Sequence, residues 1–465
     1  MHAVAPPLSA DSVYRAHRWL ISAGLPESAA ELVSLLRALE ELRSAVSAVQ
    51  ASVVLAVDAA ARAADAREGV PSQRRGRDVP VRVGLALRES PARARSFLGA
   101  ARAWHDEMPH TLEALRAGRL SPWRATVLVK ETAHLPVELR SQVDAELCSD
   151  SDRLEGLGTA ALTARVKRRA SELDPAAAAA RARRAEGERA VWVRPAPDTM
   201  TYVTALLPVA QGVGVYAALR RAADSAAAAG EVRSRGQVMA DTLVERVTGQ
   251  TSADAVPVLV NLVVSDATLL GAGHDPAVVV DAAGAGGSVP AQVARNLVAN
   301  GIDAGAAWVR RLYADPTGHL VAASSSRRFF GDGLAGLLRV RDQGLCRTPY
   351  CDAPIRQLDH VVPDADGGPT AVQNGQGLCA ACNQAKNSGA IRQTVLPGEG
   401  ARHTVVTSTR TGHRYASVAP PPPRPADAAS VATTTVRRRR RRTRRLRSPA
   451  ERTFAIRLDL QRLTC

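Results

Sequence analysis

Between Leu32 and Val53 large apolar residues return at every third or fourth position. They are Leu32, Leu35, Leu36, Leu39, Leu42, Val46, Val49 and Val53, with charges between them. This spacing predicts one long helix over 28–66, whose stripe must bury against another helix as a bundle core or a dimer seam. Ser90-Pro91 and Ser121-Pro122 each place a capping hydroxyl before a proline at the first helical position, so two further helices begin there. Gly118 stops the helix between them, and Asp174-Pro175 opens a helix running to about Arg183.

The texture then changes. Alternation on both sides of a Pro-Asp turn in "AVWVRPAPDTMTYVTALLP" (190–208) predicts a hairpin. A helix is expected from about Val215 to Val247. "VPVLVNLVV" (256–264) reads as a buried strand, and "RLYADPTGHLVAA" (311–323) as a second hairpin. The pattern divides the chain into an N-terminal segment (1–27), a helical domain (28–187), an α+β middle region (188–325) and a C-terminal module (326–400). The end of that module and a Pro/Ala-rich linker (401–435) follow, then an Arg-rich tail (436–465). The expected fold class is mainly α, with a small α+β middle region, a small C-terminal module and a disordered basic tail.

Composition supports the helical reading. Aromatics make up only 3% of the 465 residues, and alanine fills much of the apolar quota, which suits closely packed helices. The net charge is +16, and Lys130, Lys167 and Lys386 are the only lysines beside many arginines. From Val436 onward twelve arginines face only Glu451 and Asp459, so +10 lies in the tail and +6 elsewhere. "SQRRGR" (72–77) is a second basic break. The mildly basic body and the strongly basic tail both fit a polyanionic partner. The longest apolar run, 256–270, is interrupted by Asn261, Ser265 and Asp266, and no signal-peptide pattern opens the chain. No membrane association and a cytoplasmic location are therefore expected.

Four of the six cysteines form two close pairs, Cys346-x4-Cys351 and Cys379-x2-Cys382. Two such turns facing each other give the tetrahedral thiolate set of a structural Zn2+. A closed four-sulfur site leaves no open position for chemistry. Between the pairs lie Asp359, His360, a Gly-Gly-Pro turn (367–369) and Asn374, with Asn383 and Lys386 just beyond. "QLDHVV" reads as a short strand and "CNQAKNSG" as a short helix ending at Gly389. The Asp364 and Asp366 carboxylates read as loop solvation.

This constellation resembles the HNH endonuclease family over about Leu337 to Ala390. Stretches such as "ALRESPARARSFLGAARAW" resemble the large N-terminal domain of unknown function found in many bacterial HNH proteins. The resemblance implies a ββα-metal fold and metal-dependent hydrolysis of DNA phosphodiester bonds. His360 would be the general base, because imidazole titrates near neutrality. Asp359 would hold a divalent cation through oxygen, and Asn374 would bond across the loop and orient His360. Many members have His where this chain has Asn383. An amide oxygen is a harder ligand and shifts the expected metal to Mg2+ or Mn2+. Lys386, or Arg341 and Arg347, would contact phosphate. Two alternatives stand beside a nuclease: a non-catalytic zinc-stabilised nucleic-acid-binding protein, and an interaction protein acting through its helices, which could also form a homodimer.

Overall fold

The first helices set the frame on which everything else sits. α1 (Ala10–Ser22) starts at a Ser9 capping box inside the N-terminal segment. α2 runs unbroken from Ala29 to Arg67, as the periodicity predicts. It buries a different face from the expected one, however. The buried residues are Ser44, Ser47, Ala48, Ala51, Val54, Asp58, Ala61 and Asp65. Small side chains let α4 and α5 approach closely, and the stripe of Leu39, Leu42, Val46, Val49 and Val53 is left exposed. The computed structural model describes residues 8–150, 154–250, 252, 262–271, 273–280, 287–303, 324–325, 329–396 and 402–421.

α3 (Val79–Leu87), α4 (Pro91–Asp106), α5 (Pro109–Arg116), α6 (Pro122–Thr132), α7 (Val137–Cys148), α8 (Thr159–Leu173) and α9 (Pro175–Gly187) complete the helical domain. The serine-proline starts behave as expected: Ser90 caps α4 by accepting from the Arg93 N–H, and Ser121 caps α6 by accepting from Arg124. Asp174 caps α9 the same way. The core gathers around Trp104, Met108, Leu115, Leu120, Leu128 and Leu162. Gly118, at φ +75°, brings the end of α5 onto α2; a Cβ there would sit 2.5 Å from that of Glu41. Among the described residues, α2 is the one helix long and apolar enough to cross a membrane by length and composition. Its C-terminal half instead buries Asp58 and Asp65 within the bundle.

The predicted hairpin is present as β1 (Ala190–Pro195) and β2 (Thr201–Leu206), antiparallel, with Asp198 and Thr199 at positive φ in the turn. The helix expected from 215 to 247 is two helices, α10 (Val209–Ala228) and α11 (Arg235–Thr248). Gly230 at φ +86° ends the first, and a Ser234 capping box opens the second. Of the strand expected at 256–264, β3 (Leu262–Val263) falls within the described residues. It pairs with β4 (Ala277–Val279), and β4 with β5 (Ser288–Val289). α12 (Asp266–Leu270) and α13 (Ala291–Asp303) flank this small sheet. The hairpin expected at 311–323 and the Arg-rich tail lie outside the described residues.

The C-terminal module begins with β6 (Ser324–Ser325) and α14 (Asp332–Arg341). β7 (Gln357–His360) pairs antiparallel with β9 (Gly375–Leu378), β8 (Thr370–Ala371) lies between them in sequence, and α15 (Ala380–Asn387) follows. A further sheet that the sequence reading did not foresee closes the module: β10 (Ile391–Leu396), β11 (Thr404–Thr409) and β12 (Arg414–Val418), all antiparallel. The module is seated on the helical domain. Val81 and Leu85 of α3 pack with Ala385 of α15, Ile391 of β10 and Tyr415 of β12. Arg410, in the β11–β12 turn, reaches Glu68 at 3.0 Å and Asp65 at 3.4 Å.

Candidate functional site

The four cysteines converge although they come from two separate turns. Cys346 and Cys351 lie in a loop held by the Cys346 N–H to Ala353 C=O bond, with Tyr350 at φ +63°. Cys379 is the N-cap of α15, and its sulfur accepts from the Cys382 N–H. All four side chains are buried, and their sulfurs lie within 4.8 Å of one another. Cys351 Sγ and Cys379 Sγ are 3.8 Å apart. A tetrahedral zinc with bonds of about 2.3 Å needs sulfurs roughly 3.8 Å apart, so the donor set fits zinc. The neighbouring thiols, Cys346 foremost, hold the Cys379 pKa well below the usual thiol range. The same contacts push the Cys351 and Cys382 thiols up, and all four must lose their protons for a zinc to bind at the centre.

Beyond the cluster, β7 and β9 place Asp359 opposite Gln376 and His360 opposite Gly375. Successive strand residues face opposite ways, and the two side chains meet different neighbours. The imidazole of His360 bonds through Nε2 to Thr370 Oγ1 at 2.8 Å and lies against Phe330, ring centres 4.6 Å apart. Asp359 faces α15. Its Oδ2 accepts from Lys386 Nζ at 2.7 Å and stands 3.5 Å from Gln376 Nε2. Lys386 also donates to the His360 carbonyl.

Asn374 sits at the end of a 3-10 turn (Val372–Asn374), just ahead of β9, and is buried. Its Oδ1 accepts from the Val362 N–H at 2.9 Å, and its Nδ2 donates to Val362 C=O and Pro369 C=O. The side chain therefore ties both ends of the loop that leaves His360; it does not touch the imidazole itself. The Gly-Gly turn is dictated by this closeness. Gly367 has φ +82°, and a Cβ on Gly368 would fall 2.0 Å from the Val362 oxygen and 2.7 Å from Asn374 Nδ2.

Asn383 donates through Nδ2 to Gln357 Oε1 at 2.5 Å. Its Oδ1 is buried and has no hydrogen-bond partner. Asn383 reaches Gln357 and Lys386 reaches Asp359, so both oxygens lie where α15 meets β7. They are hard donors of the kind Mg2+ or Mn2+ takes, and Lys386 occupies the Asp359 carboxylate in this structure.

Two expected phosphate contacts are corrected. Arg341 gives its guanidinium to Asp342 and to the carbonyls of Val372 and Gly375. Arg347 is buried and bonds the carbonyls of His403 and Ser417, and burial pulls its pKa down to about 10. Asp342, also buried, binds both arginines and the Gly377 N–H. These groups fasten the module and are spent on it. Lys386, expected on phosphate, is on Asp359 instead. Conversely, the sequence reading passed over Thr370, Phe330, Gln376 and Gln357, which carry no local motif signal and matter only through contact.

A family model described as a domain of unknown function (DUF222) matches residues 34–342, and one described as HNH endonuclease matches residues 346–389. No curated protein and no solved structure matches the chain. The first match covers well over half the sequence, so the chain belongs to the DUF222 family and carries an HNH endonuclease domain directly behind that domain.

Proposed function

We propose that the protein is a metal-dependent endonuclease that hydrolyses DNA phosphodiester bonds at the β7–α15 site. The observation that carries this reading is the buried, unpartnered Oδ1 of Asn383 on the helix that faces Asp359. Leaving such an acceptor empty costs about 1–3 kcal/mol, a cost the module also bears at Gln376 Oε1 and Thr348 Oγ1. A cation or its water gives the Asn383 oxygen a use.

His360 acts as general base. In the tautomer that carries its proton on Nε2 and donates it to Thr370, Nδ1 has the lone pair that takes the proton of the attacking water. Thr370 and Phe330 fix the ring plane, and Asn374 fixes the loop behind it. A divalent cation on Asp359 and Asn383 would stabilise charge on the phosphate and on the departing 3′ oxygen. The zinc cluster holds the scaffold and takes no part in the reaction. Its reduced thiolates suit a cytoplasmic location.

A second reading has its own support. The Lys386–Asp359 pair already neutralises the carboxylate, which suits a zinc-stabilised nucleic-acid-binding protein without catalysis. Supercoiled plasmid incubated with purified protein in Mg2+, in Mn2+ or with chelator separates the two. Nicking that needs metal and is lost in His360→Ala supports the nuclease. Absence of cutting in every metal, or cutting undiminished in His360→Ala, leaves the binder.

A further inference from the structure

The basic break at 72–77 does not dangle. With one face of α4 it forms an open cleft of about 730 Å³. Arg95, Leu98, Gly99 and Arg102 line it at i, i+3, i+4 and i+7 of α4. Arg62 of α2 and Arg75 and Arg77 of the loop close the sides, and Gln384 of α15 forms one rim. Among the described residues, no carboxylate belongs to the lining. Asp58 lies buried beneath it, bonding Arg62 at 3.0 Å and Arg102 at 2.6 Å, so one negative charge serves two positive ones. Arg75 and Arg77 each commit Nε to a loop carbonyl, which leaves the other guanidinium N–H groups for a ligand.

The loop is fixed rather than merely basic. Gly76, at φ +69°, donates its N–H to buried Asp65 at 2.8 Å, and a Cβ there would stand 3.1 Å from Arg62 and Asp58. Asp65 also receives Arg410 from the C-terminal module. One carboxylate thus ties the cleft to the module. Gln384 and Lys386 are two residues apart, about 200° around α15, so the cleft and the Lys386–Asp359 pair lie on either side of one helix. A helix is about 10–12 Å across with its side chains, roughly three nucleotides of a DNA strand at 3.4 Å each.

We propose that this cleft grips the phosphate backbone of DNA flanking the bond cut at His360, which makes the helical domain the substrate-positioning half of the enzyme; the placement of the cut rests on the nuclease reading above. Guanidinium forks match phosphate oxygens bidentately, and a groove of single-sign charge steers a polyanion.

The test is fluorescence anisotropy of a short labelled duplex with the full-length chain, without added divalent cation, from low salt to about 150 mM. Arg77→Glu/Arg95→Glu should weaken binding roughly tenfold or more and flatten the log–log salt slope by about two. Gly99→Glu should weaken it too. Space at that Cβ is open, and the change improves helix propensity, so this variant cannot fail merely by unfolding. Arg165→Glu/Arg168→Glu on the exposed face of α8 should bind like wild type. Cleft variants that keep wild-type affinity and slope, or an equal loss from the α8 pair, overturn the proposal. Plasmid cutting is read separately. Cleft-dependent binding by a wild-type chain that cuts nothing removes the nuclease reading alone. Cutting that survives undiminished in the cleft variants removes the cleft alone.

Discussion

The ammonium of Lys386 lies 2.7 Å from Oδ2 of Asp359. A positive charge thus sits on the carboxylate that is proposed to hold a divalent cation. The two cations compete for one oxygen, and metal entry must displace the ammonium toward solvent or phosphate. Lys386→Met therefore lowers the Mn2+ concentration giving half-maximal cleavage, by about threefold or more, because about 0.7 kcal/mol of competition is removed. Titrating the cleavage rate against Mn2+ for both proteins checks this. An unchanged half-saturation point would mean that Lys386 and the metal do not share Asp359.

Zinc and the reactive groups separate cleanly by mutation. Cys379 caps α15 and belongs to the four-sulfur cluster, so Cys379→Ser should lose zinc and melt the ββα unit. Asp359→Ala should abolish cutting and keep one zinc per chain. Elemental analysis alongside circular dichroism reads both. Equal zinc loss in the two variants would merge the sites into one. Lowering the pH should also release zinc, since the thiols must be deprotonated to bind it.

Asn374 carries its role through the loop. Its side chain makes three hydrogen bonds to backbone at Val362 and Pro369, and each buried partner left unpaired costs about 1–3 kcal/mol. Asn374→Ala should speed amide exchange at Val362 and cut the cleavage rate at least tenfold, with zinc retained. Gly368→Ala should do the same by steric means, because its Cβ has nowhere to go. A fast loop with an unimpaired rate would show that His360 does not depend on this tether.

Arg347 is a test of burial against charge. As a phosphate contact, its removal would weaken DNA binding and reduce the salt slope. As a clamp on the carbonyls of His403 and Ser417 beside Asp342, its removal costs stability, about 3 kcal/mol. Arg347→Ala should lower the melting temperature and leave the salt slope of DNA binding unchanged. A reduced slope in a protein of normal stability would restore the phosphate role.

The contrast explains what the sequence could carry. The capping serines, the Asp-Pro helix start, the cysteine spacing and the Asp359-His360 strand are local signals, and a local rule reads them. Which face of a helix is buried depends on its partners, so the α2 stripe pointed to burial that Ala48, Ala51 and Ala61 took instead. Charge type likewise does not tell location. Arg341 and Arg347 looked like phosphate ligands, yet their guanidiniums serve carbonyls supplied by distant strands. Thr370 and Phe330 gained meaning only when the loop folded them onto His360.

That misplaced stripe leads to the remaining prediction. Leu32, Leu35, Leu39, Leu42, Val46, Val49 and Val53 repeat at alternating steps of three and four, the spacing of a two-stranded coiled-coil seam. From Leu39 to Val53 these side chains are 40–52% exposed while α2 buries another face. Two heptads of apolar seam left half in water favour association with a like helix, because burying the exposed half of each leucine or valine contributes about half of the roughly 1.5–3 kcal/mol of full burial. The homodimer proposed from the sequence would form there, through α2 against α2 of a second copy. Light scattering behind size exclusion should give twice the chain mass. Leu39→Glu/Val46→Glu should give a monomer with unchanged helicity, since neither residue contributes to the bundle core. A wild-type chain that runs as a monomer at micromolar concentration would leave the stripe without this partner.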